Sequence, residues 1–252
     1  MRNVLTFYKK IGWKNKNRLT LDSRLFEDNR KYSANYVSNC RKRIQKYIPK
    51  KGNHFLDFAS GPLQYPEYIK YSKNFKLRHC VDFSNEALKQ AKNKIGVKGK
   101  YYCGDFFKMN FKQNYFDCIL SMHTIYHINK NKQAKAVKKL IKLAKKNKPI
   151  IIVYSNPNTL ISKLRSIFPL KKKKSILYFY CHQNNWWYQF SKLANVQILP
   201  WRSFSAQHQQ ILFPNNLIGS WFLKILFLFE NHFHNFFSKN FQYTMIILKK
   251  KC

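Results

Sequence analysis

Three aspartates occupy corresponding points along the chain, and acidic residues are scarce enough for their positions to be informative. The 252 residues include 48 Lys and Arg but only 10 Asp and Glu. Asp57, Asp82 and Asp105 each close or follow a strand-like run, one strand–helix–strand step apart. The carboxyl ends of parallel strands share one edge, where ligands bind. The pattern therefore predicts three carboxylates at one ligand-binding edge, although a single Asp there is often only a helix N-cap.

Strand-like runs separated by segments of helical periodicity would position these acids. Between the first five runs the apolar residues follow a helical period, as in Ala134, Val137, Leu140 and Ile141. Alternating strands and helices predict an α/β fold with a mostly parallel sheet and helices on both faces. The runs are His54–Phe58, Leu77–Asp82, Lys100–Cys103, Phe116–Ser121, Pro149–Tyr154, Val196–Trp201 and Phe241–Leu248.

Four ordered motifs accompany the first four runs. They are Phe55–Pro62 (FLDFASGP), Cys80–Ser84 with the helix after it, Cys103–Phe106 and Tyr115–His123. Together with the fifth and last runs they resemble, from Phe55 to Lys249, the class I S-adenosylmethionine-dependent methyltransferases. The resemblance implies a Rossmann-like, seven-stranded, mostly parallel sheet with helices on both faces and an antiparallel last strand.

The resemblance also implies S-adenosylmethionine as cofactor and a set of residues that bind it. Asp82 would accept hydrogen bonds from the ribose hydroxyls, since a carboxylate accepts two at once. Phe83 and Phe106 would enclose the adenine. The cofactor-binding residues expected in this way are Asp57, Ala59, Ser60, Gly61, Asp82, Phe83, Asp105, Phe106 and Ser121.

The loop after the first strand departs from the family pattern of three glycines. Ala59 stands at the first glycine position, Gly61 at the second and Leu63 at the third. Gly61 still supplies a residue for a left-handed turn, whereas Leu63 is expected to narrow the approach to the backbone. The loop lacks the GxGxxG pattern that seats a pyrophosphate, which argues against a dinucleotide cofactor.

Three histidines are candidates for a general base that takes a proton from the acceptor. His123 and His127 follow the fourth strand, and His182 lies in the variable region near the chain's Trp pair. Each is alternatively a packed or surface histidine. Because acids are scarce and neither Cys nor His has ligand spacing, we predict that the transfer uses no metal.

The resemblance predicts a single domain over residues 1–252 with four parts. Within the last part, the Leu/Phe-rich segment Asn216–Phe237 is expected to be a helix buried against the sheet; a membrane contact near Lys171–Lys174 is the alternative. Trp186 and Trp187 either contact a flat acceptor or form an aromatic subcore. The parts are N-terminal cap helices (1–52), the cofactor-binding core (53–158), a substrate lid (159–215) and a C-terminal helix with the closing strand (216–252).

The formal charge of +38 leaves the acceptor open. Biased composition explains part of it, and the lysines of Lys138–Lys148 are expected to point to solvent. The favoured function is in-line methyl transfer to a small or lipid-linked acceptor; the charge favours RNA as the alternative. A non-catalytic binding protein on the same fold is the third hypothesis. Without an apolar run of about 18 residues or a signal peptide, the chain is expected to be a cytoplasmic basic protein, with peripheral membrane contact still open.

Overall fold

The computed structural model describes residues 2–16, 19–167 and 177–251, so Lys171–Lys174 lies outside the described residues. Its main sheet has seven strands in the order β3-β2-β1-β4-β5-β7-β6. The last strand is antiparallel to both neighbours, and the other pairings are parallel. This confirms the predicted fold class. The strands are β1 Gly52–Phe58, β2 Phe75–Asp82, β3 Gly99–Cys103, β4 Cys118–Met122, β5 Pro149–Ser155, β6 Ala194–Arg202 and β7 Tyr243–Lys250.

The central strands are apolar throughout because both faces of the sheet are covered. Every residue of β5 is buried. Since side chains alternate along a strand, Ile150 and Ile152 belong to one core cluster, and Ile151 and Val153 belong to the other. The two clusters are the two layers between the sheet and its helices.

Helices pack on both faces of the sheet, as the periodicity predicted. Val137 and Leu140 of α6 join the first core cluster, whereas Ile44 of α3 joins the second. A two-stranded hairpin pairs Asn15–Lys16 with Leu19–Thr20 near the amino terminus. The helices are α1 Arg2–Lys10, α2 Leu21–Phe26, α3 Ala34–Gln45, α4 Pro66–Lys70, α5 Asn85–Ile95, α6 Lys130–Leu143, α7 Leu160–Ile167, α8 Ala206–Leu212, α9 Leu217–His232 and α10 His234–Asn240.

The prediction of one buried helix over Asn216–Phe237 is wrong. The segment forms α9 and α10, which meet at Phe233. Trp221 is 58% exposed and Phe229 is 49% exposed. The reason is that α3 already covers the sheet here, so α9 packs mainly on α3 and on the turn Lys31–Ser33. Within the described residues, the helices are all too short or too polar to cross a membrane.

Candidate active site

A cavity of ≈ 280 Å³ lies at the carboxyl ends of β1, β2 and β4. The three aspartates named above line it, as do two of the three candidate histidines, His123 and His127. Among the other residues predicted to bind the cofactor, Ala59, Ser60, Gly61, Phe83 and Phe106 also line it. The fold thus brings most of the predicted site residues to one edge of the sheet.

The loop after β1 keeps a glycine-like backbone although two of its glycine positions are filled by other residues. Ala59, Gly61 and Leu63 have φ of 58°, 55° and 51°, all in the left-handed region. A Cβ at Gly61 would lie 3.0 Å from the Trp13 ring, so a larger residue there would require this ring to shift in addition to adopting a left-handed backbone. The Leu63 side chain does not narrow the cavity as expected, since it turns away and packs against Cys80, Leu88 and Ala91.

We predict that Ala59→Gly is tolerated. An alanine in the left-handed region costs about 1–2 kcal/mol, which glycine removes, but glycine also makes the unfolded chain more flexible by about 0.5–1 kcal/mol. The free energy of unfolding, measured by urea titration, should therefore stay unchanged or rise by up to about 1.5 kcal/mol. A loss of several kcal/mol would show that the Ala59 methyl makes an essential contact.

Asp82 ties the end of β2 to the loop after β1. Its Oδ2 accepts a hydrogen bond from the Gly61 amide at 2.9 Å, and its Oδ1 accepts one from the Ser84 amide at 2.9 Å. Burial raises the pKa of this carboxyl to about 6, although the amide hydrogen bonds oppose the rise. Each carboxylate oxygen has a second lone pair, so Asp82 can still accept hydrogen bonds from a ligand in the cavity.

Asp57 also lines the cavity, but it forms a buried ion pair. Its Oδ2 accepts hydrogen bonds from Arg78 through Nε at 3.1 Å and through Nη2. Asp57 is 4% exposed and Arg78 is 2% exposed. Arg78 Nη1 also donates to the carbonyl of Tyr68 at 2.5 Å. This pair fixes the end of β1 against β2 and against α4, which contains Tyr68.

Asp22 is a cavity residue that the sequence analysis did not identify. Its Oδ1 accepts a hydrogen bond from the Tyr8 hydroxyl at 2.9 Å, and its Oδ2 accepts one from Gln64 Nε2 at 3.3 Å. Burial raises the pKa of Asp22 to about 6, and the nearby charge of Glu27 adds to the rise. Asp22 precedes the first strand of the sheet, so the motifs contained no signal for it.

The acidic residues of the cavity differ from the other acidic residues in how many of them form ion pairs with Lys or Arg. Among the residues that the structure describes, six of the ten acidic residues form ion pairs with Lys or Arg, and of these six only Asp57 lines the cavity. Within the described parts of the chain, Asp22, Asp82 and Asp105 make no such pair. In a strongly basic protein, three carboxylates around one cavity thus have no Lys or Arg partner within the described ranges. The six paired acids are Glu27, Asp28, Asp57, Glu67, Asp117 and Glu230.

His123 and His127 differ in their suitability as a general base. Burial, with a further effect of the Arg202 charge, lowers the pKa of His123 to about 3, so its imidazole is a weak base. His127 Nδ1 lies 2.7 Å from the carbonyl oxygen of Tyr178, which makes Nδ1 the donor and leaves Nε2 unprotonated in the neutral ring. Burial lowers the pKa of His127 as well, so both rings are neutral at pH 7.

The structure does not bring two of the predicted residues to the cavity. His182 lies beside a separate surface pocket, stacked on Trp186 with ring centroids 4.2 Å apart. The Ser121 side chain is completely buried and does not line the cavity, although its neighbours Leu120 and Met122 do. Alternation along β4 explains this, because Ser121 points to the opposite side of the strand.

The N-terminal segment forms a wall of the cavity, whereas the sequence analysis expected residues 159–215 to cover it as a substrate lid. Val4, Leu5, Tyr8 and Trp13 line the cavity, whereas the described residues of 159–215 do not. Trp187 is buried against Tyr154 with ring centroids 5.0 Å apart, as expected for an aromatic subcore.

Glu27 accepts hydrogen bonds from Arg41 at 2.7 Å and from Arg202, and so anchors the residues after α2.

The described residues contain no group of three or more His, Cys, Asp or Glu side chains arranged to hold a metal ion.

Residues 56–152 match the family model of a methyltransferase domain. No curated protein sequence matches the chain.

Solved structures of methyltransferases share the fold at low sequence identity. A SAM-dependent methyltransferase from Archaeoglobus fulgidus is 15% identical, with a TM-score of 0.56 over 86% of this chain and 94% of that chain. Phosphoethanolamine N-methyltransferase 2 of Haemonchus contortus, in complex with S-adenosyl-L-methionine, is 15% identical, with a TM-score of 0.54 over 86% of this chain. This chain spans 53% of the Haemonchus protein. The small RNA methyltransferase HEN1 is 14% identical, with a TM-score of 0.56 over 87% of this chain and 25% of that chain.

Proposed function

We propose that the chain is a class I S-adenosylmethionine-dependent methyltransferase that methylates a small or lipid-linked acceptor. The match of residues 56–152 to a methyltransferase domain and the shared fold support this proposal. The observation that carries the proposal is the cavity at the carboxyl edge of the sheet. It combines carboxylates that form no ion pair with any described Lys or Arg and a neutral histidine of defined tautomer.

The residues of the cavity are suited to S-adenosylmethionine. The Asp82 carboxylate would bind the ribose hydroxyls, and Asp105 with Phe83 and Phe106 would surround the adenine. The left-handed loop around Gly61 would face the methionine end of the cofactor. When bound, the cofactor supplies a methyl group on a sulfonium, which is already electrophilic.

The protein's own task is then to align the acceptor and remove its proton. Alignment in a near-attack geometry lowers the barrier, because the reacting groups no longer have to meet by diffusion. His127 would take the proton at Nε2, since its Nδ1 hydrogen is held by the carbonyl of Tyr178. Asp22, without a cationic partner among the described residues, would favour an acceptor or cofactor group that is positively charged.

RNA is the second candidate acceptor, favoured by the charge of +38. The lysines of Lys138–Lys148, on and just after α6, are not all directed to solvent as expected. Lys139 Nζ donates to the carbonyls of Phe106 and Met109, each at 2.6 Å, and Lys145 pairs with Asp117 at 2.6 Å. Lys138 and Lys142 are exposed. The end of α6 lies beside the start of β4, at the opposite edge of the sheet from the cavity.

The test offers the protein a methyl-labelled cofactor together with cell extract separated into small-molecule, lipid and RNA fractions. We expect label in the small-molecule or lipid fraction, and cofactor binding by calorimetry. Label confined to RNA, with a steep decrease of binding as salt rises, would favour the second candidate. Absence of cofactor binding by the folded protein would favour a non-catalytic role. Glu86→Ala is the control variant, because it removes an exposed acid just outside the cavity.

A further inference from the structure

The C-terminal helices expose a concentrated apolar surface. Half of the large hydrophobic side chains that the described structure leaves exposed lie on α8, α9 and α10 or between them. Their exposed fractions range from 46% for Phe222 to 78% for Ile211. We call these residues the outer apolar face: Ile211, Leu212, Leu217, Ile218, Trp221, Phe222, Leu228, Phe229, Phe233 and Phe236.

The orientation of α9 is fixed by contacts on its other side. Leu223 is buried with Tyr36 of α3, and the Glu230 carboxylate is fully buried. Glu230 accepts hydrogen bonds from Arg43 at 3.0 Å and from the Tyr36 hydroxyl at 2.7 Å. Rotating α9 to bury the outer apolar face would expose this network. Since apolar surfaces of this extent mark interaction sites, the outer apolar face requires an external partner.

Within α9 the exposed residues recur at helical spacing. Trp221 and Phe222 follow Ile218 by three and four positions, and Phe229 follows Phe222 by seven, so the four side chains share one side of the helix. This pattern of aromatic and aliphatic side chains is typical of helices that lie in the plane of a membrane surface, where Trp and Phe insert beside the lipid headgroups.

The charge of the protein decides between a lipid surface and a second copy of the chain. Two copies at +38 each repel one another, whereas an anionic bilayer attracts the protein. Exposed lysines lie on the helix and on the elements beside it, namely Lys31, Lys42, Lys224 and Lys239. Such lysines are attracted to anionic headgroups when they lie near the bilayer surface.

We propose that the outer apolar face binds the surface of an anionic lipid bilayer, with its aromatic side chains inserted between the headgroups. The face is linked through Arg30 to the residues that follow α2. Arg30, four residues after Phe26, donates to the carbonyls of Gln209 at 3.1 Å and Phe213 at 2.8 Å, which joins the residues after α2 to α8. Leu25 and Phe26 of α2 are themselves exposed, and Asp22 on the same helix lines the cavity. Bilayer binding needs no cofactor, so it stands apart from the proposed enzymatic activity.

The test measures binding to phosphatidylcholine vesicles with and without phosphatidylserine by flotation. The variant Trp221→Glu/Phe229→Glu places two charges on the outer apolar face. The control Val97→Glu/Leu193→Glu makes the same change in charge at two exposed hydrophobic residues outside the face. We expect the face variant to bind phosphatidylserine vesicles at least about tenfold more weakly than wild type, and the control to stay within about twofold.

A second measurement does not depend on the fold of the double variant. Quenching of tryptophan fluorescence by brominated phosphatidylserine vesicles should be strong in wild type and largely lost in Trp221→Phe.

Equal quenching in the two proteins would overturn the proposal, as would equal vesicle binding by wild type and the face variant. Equal loss in the face and control variants would show that charge alone drives binding. If the wild-type protein is a dimer in the absence of lipid and Trp221→Glu/Phe229→Glu dissociates this dimer, the face binds a second copy of the chain and the bilayer proposal is wrong. Cofactor calorimetry of the same variants shows whether the enzymatic proposal fails independently.

Discussion

Replacement of Arg78 by Met is expected to destabilise the protein by about 3–5 kcal/mol. The guanidinium is buried and donates to Asp57 and to the carbonyl of Tyr68. Methionine fills a similar volume but donates no hydrogen bond, so the buried Asp57 carboxylate would lose its cation. Such a charge is costly in a medium that solvates it poorly. The free energy of unfolding, from urea titration followed by circular dichroism, measures the loss.

Two further variants separate the ion pair from a general effect of losing an arginine. Arg24→Met removes an exposed Arg on α2 and should change the free energy of unfolding by less than about 0.5 kcal/mol. Asp57→Asn/Arg78→Met removes both charges and should recover part of the stability lost in Arg78→Met. If Arg78→Met unfolds at the wild-type urea concentration, the pair does not stabilise the fold as the geometry implies.

The sheet was predictable because its signals are local. Each strand of a parallel sheet is a short apolar run, and the helix that follows has its own period. The observed β5, Pro149–Ser155, differs by one residue from the predicted run, and Asp82 ends β2 as predicted. The failure at Asn216–Phe237 has a different origin. An apolar helix is normally buried, but α3 already covers the sheet at this place. That arrangement depends on tertiary packing, which the local sequence of Asn216–Phe237 does not show.

The residues of the site were predictable where they lie on the sheet and not where they come from elsewhere. Asp82 and Asp105 follow strands, so their common edge follows from topology. Asp22 and Tyr8 belong to the segment that precedes the sheet and line the cavity from there. The spacing of the strand-like runs does not indicate that this segment lies at the cavity. The position of Asp57 was predicted, but its ion pair was not, because the partner Arg78 lies on the adjacent strand and the pairing is a tertiary contact. His182 lies in the variable region, where a Trp neighbour stacks on it beside another pocket.

Below pH about 6, cofactor affinity is expected to fall because Asp82 becomes protonated. Burial raises the pKa of Asp82 to about 6, so the carboxylate prevails above that pH and the neutral acid below it. A protonated carboxyl loses acceptor capacity toward the ribose hydroxyls. Calorimetric titrations from pH 5 to 8 should show the decrease in wild type, and Asp82→Asn should lack it. Because the pKa of Asp22 is also about 6, Asp22→Asn is measured in parallel; a profile flattened by Asp22→Asn alone would assign the titration to Asp22.

At pH 7.5, Asp82→Ala is expected to weaken S-adenosylmethionine binding by about 1–3 kcal/mol, or roughly 5- to 150-fold. The change removes the acceptor for the ribose and also the partner of the Gly61 and Ser84 amides. Loss of the Gly61 contact would let the left-handed loop move, so the variant's circular dichroism and urea unfolding are compared with wild type. Glu86→Ala removes a neighbouring exposed acid and should leave the affinity unchanged. A folded Asp82→Ala protein with wild-type affinity would mean that the ribose binds elsewhere, and the cofactor assignment of this strand end would be wrong.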